Sequence, residues 1–179
     1  MEPRSTILAF DAFLTARHKK VDCVIIGGTA LVLLGVVTRM TRDCDVLCPP
    51  IDPEIAALAV EFAHHRQAMG EPLSELWWNN EPSSLIPILP PGWELRLVNA
   101  YLGNALRLMT LGRSDLLSTK VFALCDRGTD LNDCIALRPT EHELVDLLPW
   151  LEVQDLNPQW PEHARAVIAD LGRKVGHGL

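Results

Sequence analysis

A chain of 179 residues, 48% hydrophobic and 22% charged, carries enough apolar material for a folded domain and is not the composition of a disordered one. Its formal charge of −7, from 16 Lys and Arg against 23 Asp and Glu, excludes a broad positive field for polyanions and leaves room for a local phosphate pocket. The first residues lack a signal-peptide pattern, the longest nearly apolar run (Val24 to Val37) is too short to span a bilayer, and the five cysteines sit mostly among apolar neighbours, so a cytoplasmic setting with reduced thiols is expected.

The spacing of Ile7, Leu8, Phe10, Phe13 and Leu14 predicts an N-terminal helix, with Ser5 as its cap and Lys19 and Lys20 at its negative end. Val21 to Ile26 is a continuous, β-branched run and reads as a buried strand. Gly27-Gly28-Thr29 breaks it, and a short helix starts at Ala30. Asp43 to Cys48 forms the next strand, closed by Pro49-Pro50. Asp52-Pro53-Glu54 opens a long helix that Gly70 ends.

A short strand is expected around Ile86 to Leu89, then two strands, Glu94 to Val98 and Ala105 to Thr110, joined near Gly103. Helices follow from Ser114 to Gly128, over Asp130 to Leu137, from the capping box Thr140-Glu-His-Glu143, and from Pro161 to Gly176. The expected class is α/β, a mixed sheet flanked by helices. Its core would cover residues 1–137, with a helical extension over 138–179.

Three features carry chemistry. A buried strand ending in Gly27-Gly28-Thr29 lets the backbone approach a ligand closely and offers N–H groups to an anion, although a tight turn with no ligand has the same letters. Asp43-Cys44-Asp45 places two carboxylates on one face of a strand, with Cys44 turned inward. Such a pair is either a solvated acidic strand end or a site for Mg²⁺ or Mn²⁺, whose charge compensates the repulsion. Lys120 and Arg127 share a helix face, followed by Asp130 and Asp133. They form either a salt-bridged surface or a phosphate contact with its supporting acids.

The run IIGGTALVLLGVVTRMTRDCDVL, with thirteen residues between Thr29 and Asp43, resembles the core motif of the DNA polymerase β-like nucleotidyltransferase superfamily. Its Arg39-x-Thr41-x-Asp43-x-Asp45 arrangement and the later SDLLSTKVFALCDRGTDLNDCIAL are similar to the small bacterial branch near the AbiEii nucleotidyltransferases of abortive-infection and toxin–antitoxin systems. The resemblance covers about residues 20 to 137 and implies roles. Gly27, Gly28 and Thr29 would hold a nucleoside triphosphate, Asp43 and Asp45 would bind Mg²⁺ or Mn²⁺, and Lys120 would lie near the phosphates.

The implied reaction is attack by a hydroxyl on the α-phosphorus with pyrophosphate leaving. The acceptor would be a protein, an RNA end or a small molecule. Superfamily members take a third carboxylate from a neighbouring strand. The strand Ala105 to Thr110 holds no acid, which leaves Glu94 either in that role or as a surface partner of Arg96. The alternative is a catalytically decayed binding module, with a protein partner as one half of a toxin–antitoxin pair.

The remaining residues form no second site. The six histidines are scattered or, at His64 and His65, adjacent on a helix and unable to share a ligand. Trp77, Trp78, Trp93, Trp150 and Trp160 read as packing residues; the alternative, a Trp77 or Trp78 ring at the pocket mouth stacking on a base, is less favoured because no Lys or Arg lies in that stretch to pair a stacking platform with a basic groove. Asp11, among apolar neighbours, is expected to face solvent.

Overall fold

A computed structural model describes residues 1–178. The continuous apolar run forms β1 (Val21–Ile26), and the acidic segment forms β2 (Cys44–Cys48), which begins one residue after Asp43. With β3 (Trp78–Asn79), β4 (Val98–Leu102) and β5 (Leu106–Thr110) they make a five-stranded mixed sheet in the order β3-β2-β1-β5-β4. β1 pairs antiparallel with β2 and parallel with β5, β2 pairs parallel with β3, and β4 with β5 antiparallel. This is the α/β class that the sequence leads one to expect.

Three helices belong to the sheet-bearing unit: α1 (Pro3–Thr15), α2 (Gly27–Leu33) and α3 (Pro53–Ala68). α1 starts earlier than expected. Glu2, not Ser5, caps it by accepting the N–H groups of Arg4 and Ser5, because Pro3 occupies the first turn without needing a partner for its nitrogen. It also ends earlier, at Thr15, with His18 in the left-handed region before β1. α3 keeps its expected start, Asp52 accepting from the Glu54 N–H.

An aromatic cluster fills the space between α1, α3 and the sheet. Phe10 packs edge-on to Trp77 at 5.0 Å and tilts against Trp78 at 5.4 Å, while Phe62 lies 5.1 Å from Phe10. The Trp77 indole donates to the Ala59 carbonyl, so its one polar atom is satisfied inside the core. Both Trp77 and Trp78 are therefore core residues, as their surroundings in the sequence suggest.

Two expected strands are absent. Residues around Ile86 lie in the 3₁₀ segment Glu81–Ile88, and Glu94 lies in a second one, Trp93–Arg96, so β4 begins only at Val98. The cause is the preceding Pro90-Pro91-Gly92. The Pro90 carbonyl accepts the Trp93 N–H and Gly92 takes φ +75°, which starts a tight turn where alternation alone reads as a strand.

By its contacts the chain forms two compact units. One comprises residues 1–87 and 94–111, the other residues 88–93 and 112–179, so the boundary expected after Leu137 falls within the second. That unit holds α4 (Arg113–Arg127), α5 (Leu131–Ala136), α6 (Glu141–Leu151) and α7 (Trp160–Val175). These helices pack on one another, with Phe122 between Trp150 and Trp160 at 6.4 and 6.1 Å. α4 starts beyond Gly112 rather than at a Ser114 cap, and α6 carries the full Thr140–Glu143 capping box.

Candidate functional site

The end of β1 and the start of β2 meet because the two strands are antiparallel: Ile26, the last residue of β1, pairs with Asp45. The chain then turns directly from Ile26 into α2 at Gly27, which takes φ +75°. That conformation suits glycine, and so does the space. A Cβ at Gly27 would run into the Asp45 carboxylate. A Cβ at Gly28 would lie 2.8 Å from the Thr41 methyl and 3.2 Å from the Arg39 guanidinium. The two glycines thus let the Asp45 and Arg39 side chains come down onto the first turn of α2.

Asp43 is held beside the same turn through its backbone. The Thr29 hydroxyl donates to the Asp43 carbonyl at 2.6 Å, and the Thr41 hydroxyl reaches that carbonyl at 3.2 Å. Thr29 is 1% exposed and its oxygen also lies 3.2 Å from the Thr41 hydroxyl. The hydroxyl given to the phosphates by resemblance is engaged by the chain itself. Its physical work is to fix where the strand carrying the acids begins.

Asp43 and Asp45 are both half-buried and flank the fully buried Cys44, which faces the core as expected. Burial pushes the Cys44 thiol well above its ordinary range, with further contributions from Cys23 and from the two aspartates. On the far side of Asp45 stands β3, where Asn79 pairs with it and donates from Nδ2 to Oδ1 at 3.4 Å. Nothing in the sequence marks Asn79, because it comes from a two-residue strand thirty-four positions away.

Glu94 is not brought to this cluster. It is exposed, in the 3₁₀ segment before β4, and the side chain that feels its charge is Cys48, three residues beyond Asp45 along β2. Among the described residues no group of three or more His, Cys, Asp or Glu side chains could hold a metal ion.

The placement of Glu94 has a chemical consequence. Burial first, and the Glu94 carboxylate second, raise the Cys48 thiol. Cys23, Cys125 and Cys134 are buried thiols pushed up to about 12, 11 and 12. Alkylation of the folded protein at neutral pH is therefore expected to label Cys48 first. Glu94→Gln is expected to speed that labelling about two-fold, read by mass spectrometry, since removing a nearby anion favours the thiolate. An unchanged Cys48 rate would contradict this placement of Glu94.

Lys120 lies in the second unit, on α4, and is 6% exposed. Its ammonium sits 2.8 Å from Asp133 and 3.1 Å from Asp130, so this chain supplies two carboxylate partners from its own sequence. Asp130 reaches it from a left-handed conformation at φ +67° just before α5. Arg127 is exposed and 3.8 Å from Asp126.

Asp11 corrects the sequence reading most sharply. It is 4% exposed, and its carboxylate accepts the backbone N–H groups of Asn104, Ala105 and Leu106 at 3.1, 2.8 and 2.7 Å. It ties α1 to the β4–β5 turn. No described helix is long and apolar enough to cross a membrane.

No curated protein and no solved structure matches the chain. A family match covers most of it, residues 6–158, and includes the glycine turn, the aspartate pair and the Lys120–Asp133 segment. The chain belongs to this family, a nucleotidyltransferase of unknown function (DUF6036).

Proposed function

We propose that the chain is a metal-dependent nucleotidyltransferase that moves a nucleoside monophosphate from a nucleoside triphosphate to a hydroxyl acceptor, using Asp43 and Asp45. The observation that carries this reading is the packing of the Asp45 carboxylate onto Gly27 while Thr29 anchors Asp43 at the same turn. Two hard carboxylates suit Mg²⁺ or Mn²⁺, which keep waters and complete their shell with substrate phosphates. The fit is to an ion that arrives with the nucleotide, since among the described residues no third His, Cys, Asp or Glu joins the two aspartates in a metal-holding group.

Such an ion would neutralise charge on the phosphates and polarise the reacting phosphorus. The residues of the chain have the other tasks. Asp43 and Asp45 would hold the ion. Gly27 and Gly28 would admit the triphosphate close to the backbone, and Arg39, whose guanidinium lies over Gly28, would meet its negative charge. Lys120, paired with Asp130 and Asp133, takes the part of a structural cation in this reading. The acceptor is a protein, an RNA end or a small molecule. The AbiEii-like motifs favour a bacterial, cytoplasmic toxin–antitoxin setting with a protein partner, and the free thiols suit a reducing compartment.

The residues opposite Asp45, Ile26 on one strand and Asn79 on the other, favour a second reading as well. With no acid there, the domain would bind nucleotide without transferring it. Incubating the protein and Mn²⁺ with each of the four labelled triphosphates and a cell extract separates the two. Transfer of label, lost in Asp43→Asn, supports the enzyme. Nucleotide binding without transfer supports the binding module, and neither binding nor transfer overturns both.

A further inference from the structure

The side chain beside Asp45 on β3 is an amide, and both of its ends are assigned by their partners. Asn79 Oδ1 accepts the backbone N–H of Glu81 at 2.9 Å, which leaves Nδ2 to donate to Asp45 Oδ1 at 3.4 Å. Turning the amide over would set its N–H₂ against the Glu81 N–H and its oxygen against a carboxylate, two repulsive contacts in place of two attractive ones. In the observed orientation Asn79 offers the site a proton donor and no ligand oxygen. The other oxygen of Asp45, Oδ2, is the one that lies against Gly27.

We infer that Asn79 is a positioning residue for Asp45. It grips Oδ1 from the neighbouring strand, turns Oδ2 towards the glycine turn, and replaces with a neutral donor the third acid that would strengthen metal binding. The inference rests on reading Asp43 and Asp45 as the metal ligands. Its physical content is a charge balance. A carboxylate at position 79 would still accept from Glu81 but would face Asp45 with a like charge, a repulsion that a divalent cation relieves. The natural amide removes that repulsion, which stabilises the metal-free protein and lowers its affinity for the bare ion. The site then depends on a nucleotide to bring the ion in.

The test compares Asn79→Asp, Asn79→Ala, Asp45→Asn and the double variant Asn79→Asp with Asp45→Asn. Each is melted in EDTA and titrated with Mn²⁺ alone, the free ion being followed by its electron paramagnetic resonance signal. Asn79→Asp is expected to melt about 3–6 °C lower than the natural protein without metal and to bind Mn²⁺ at least tenfold more tightly. The double variant, which swaps amide and carboxylate, is expected to recover the melting temperature and lose the Mn²⁺ gain. Asn79→Ala, which removes the grip without adding charge, is expected to melt slightly lower with no gain in Mn²⁺ affinity.

An Asn79→Asp protein with unchanged melting and unchanged Mn²⁺ affinity overturns the inference, even where the natural protein binds metal nucleotide. If Asn79→Asp melts lower, the double variant recovers, and no variant binds Mn²⁺, the grip on Asp45 stands. In that case the metal reading of the site fails.

Discussion

Gly27→Ala is expected to remove metal-nucleotide binding and to destabilise the protein by about 3 kcal/mol, the sum of a left-handed backbone cost and an overpacking cost. The backbone there takes φ +75°, and the new methyl would enter the space of the Asp45 carboxylate. The clash has two ways to resolve. Either the turn shifts and α2 moves off β2, or Asp45 swings out and takes a ligand oxygen with it. Both separate the acid from the turn. Gly70→Ala is the matching control, since Gly70 also has a positive φ, +81°, but nothing within 4 Å of an added Cβ. It is expected to cost about 1 kcal/mol and to leave nucleotide binding unchanged. Denaturant unfolding and nucleotide titration on the two variants separate backbone strain from displacement of the acid.

Asp11→Ala is expected to lower stability by about 3–5 kcal/mol, among the largest single effects in this chain, because it strands three backbone donors that now share one carboxylate. Gly103 shows how tight the arrangement is. A Cβ there would collide with the Asp11 carboxylate, so the hairpin has been brought up against it with no space to spare. Asp11→Asn should be milder, about 2 kcal/mol, since its amide oxygen can still accept while the charge that strengthens these bonds is gone. Urea unfolding measures both. A loss under 1 kcal/mol for the alanine variant would mean that water replaces the carboxylate at low cost.

The Gly27 turn and Asp11 illustrate which parts of the molecule the sequence makes legible. Gly27, Asp43 and Asp45 are readable because strand, turn and strand are local. A glycine pair after a β-branched run and a period-two acid pair keep their meaning wherever the sheet goes. The position of Asp11 is not readable, because its partners lie more than ninety residues away and only the folded sheet brings them together.

Glu94 is misread for a related reason. Trp93-Glu-Leu-Arg-Leu alternates like a strand, yet the Pro90-Pro91-Gly92 turn before it sets a 3₁₀ path, and the ladder to β5 starts only at Val98. Asn79 escapes notice because a two-residue strand has no pattern of its own. Lys120 and its two aspartates are visible as a charged segment, but their burial is not, since it depends on how α4, α5 and α7 pack.

The family and the α/β class are thus carried by short motifs. The chemistry of the site depends on a cross-strand neighbour that only the fold reveals. That neighbour is a neutral amide, and in the proposed reading this leaves metal binding to Asp43, Asp45 and the nucleotide. On that proposal Glu94 has no part in holding an ion, and its removal is expected to leave nucleotide affinity where it was.

Calorimetric titration of Mn²⁺ and a nucleoside triphosphate into the natural protein and into the Asp43→Asn, Asp45→Asn double variant tests that claim most directly. The expected result is saturable binding that needs both the ion and the nucleotide, falls at least tenfold in the double variant, and is the same in Glu94→Gln as in the natural protein. Equal binding by the natural protein and the double variant would contradict the assignment of the site to Asp43 and Asp45.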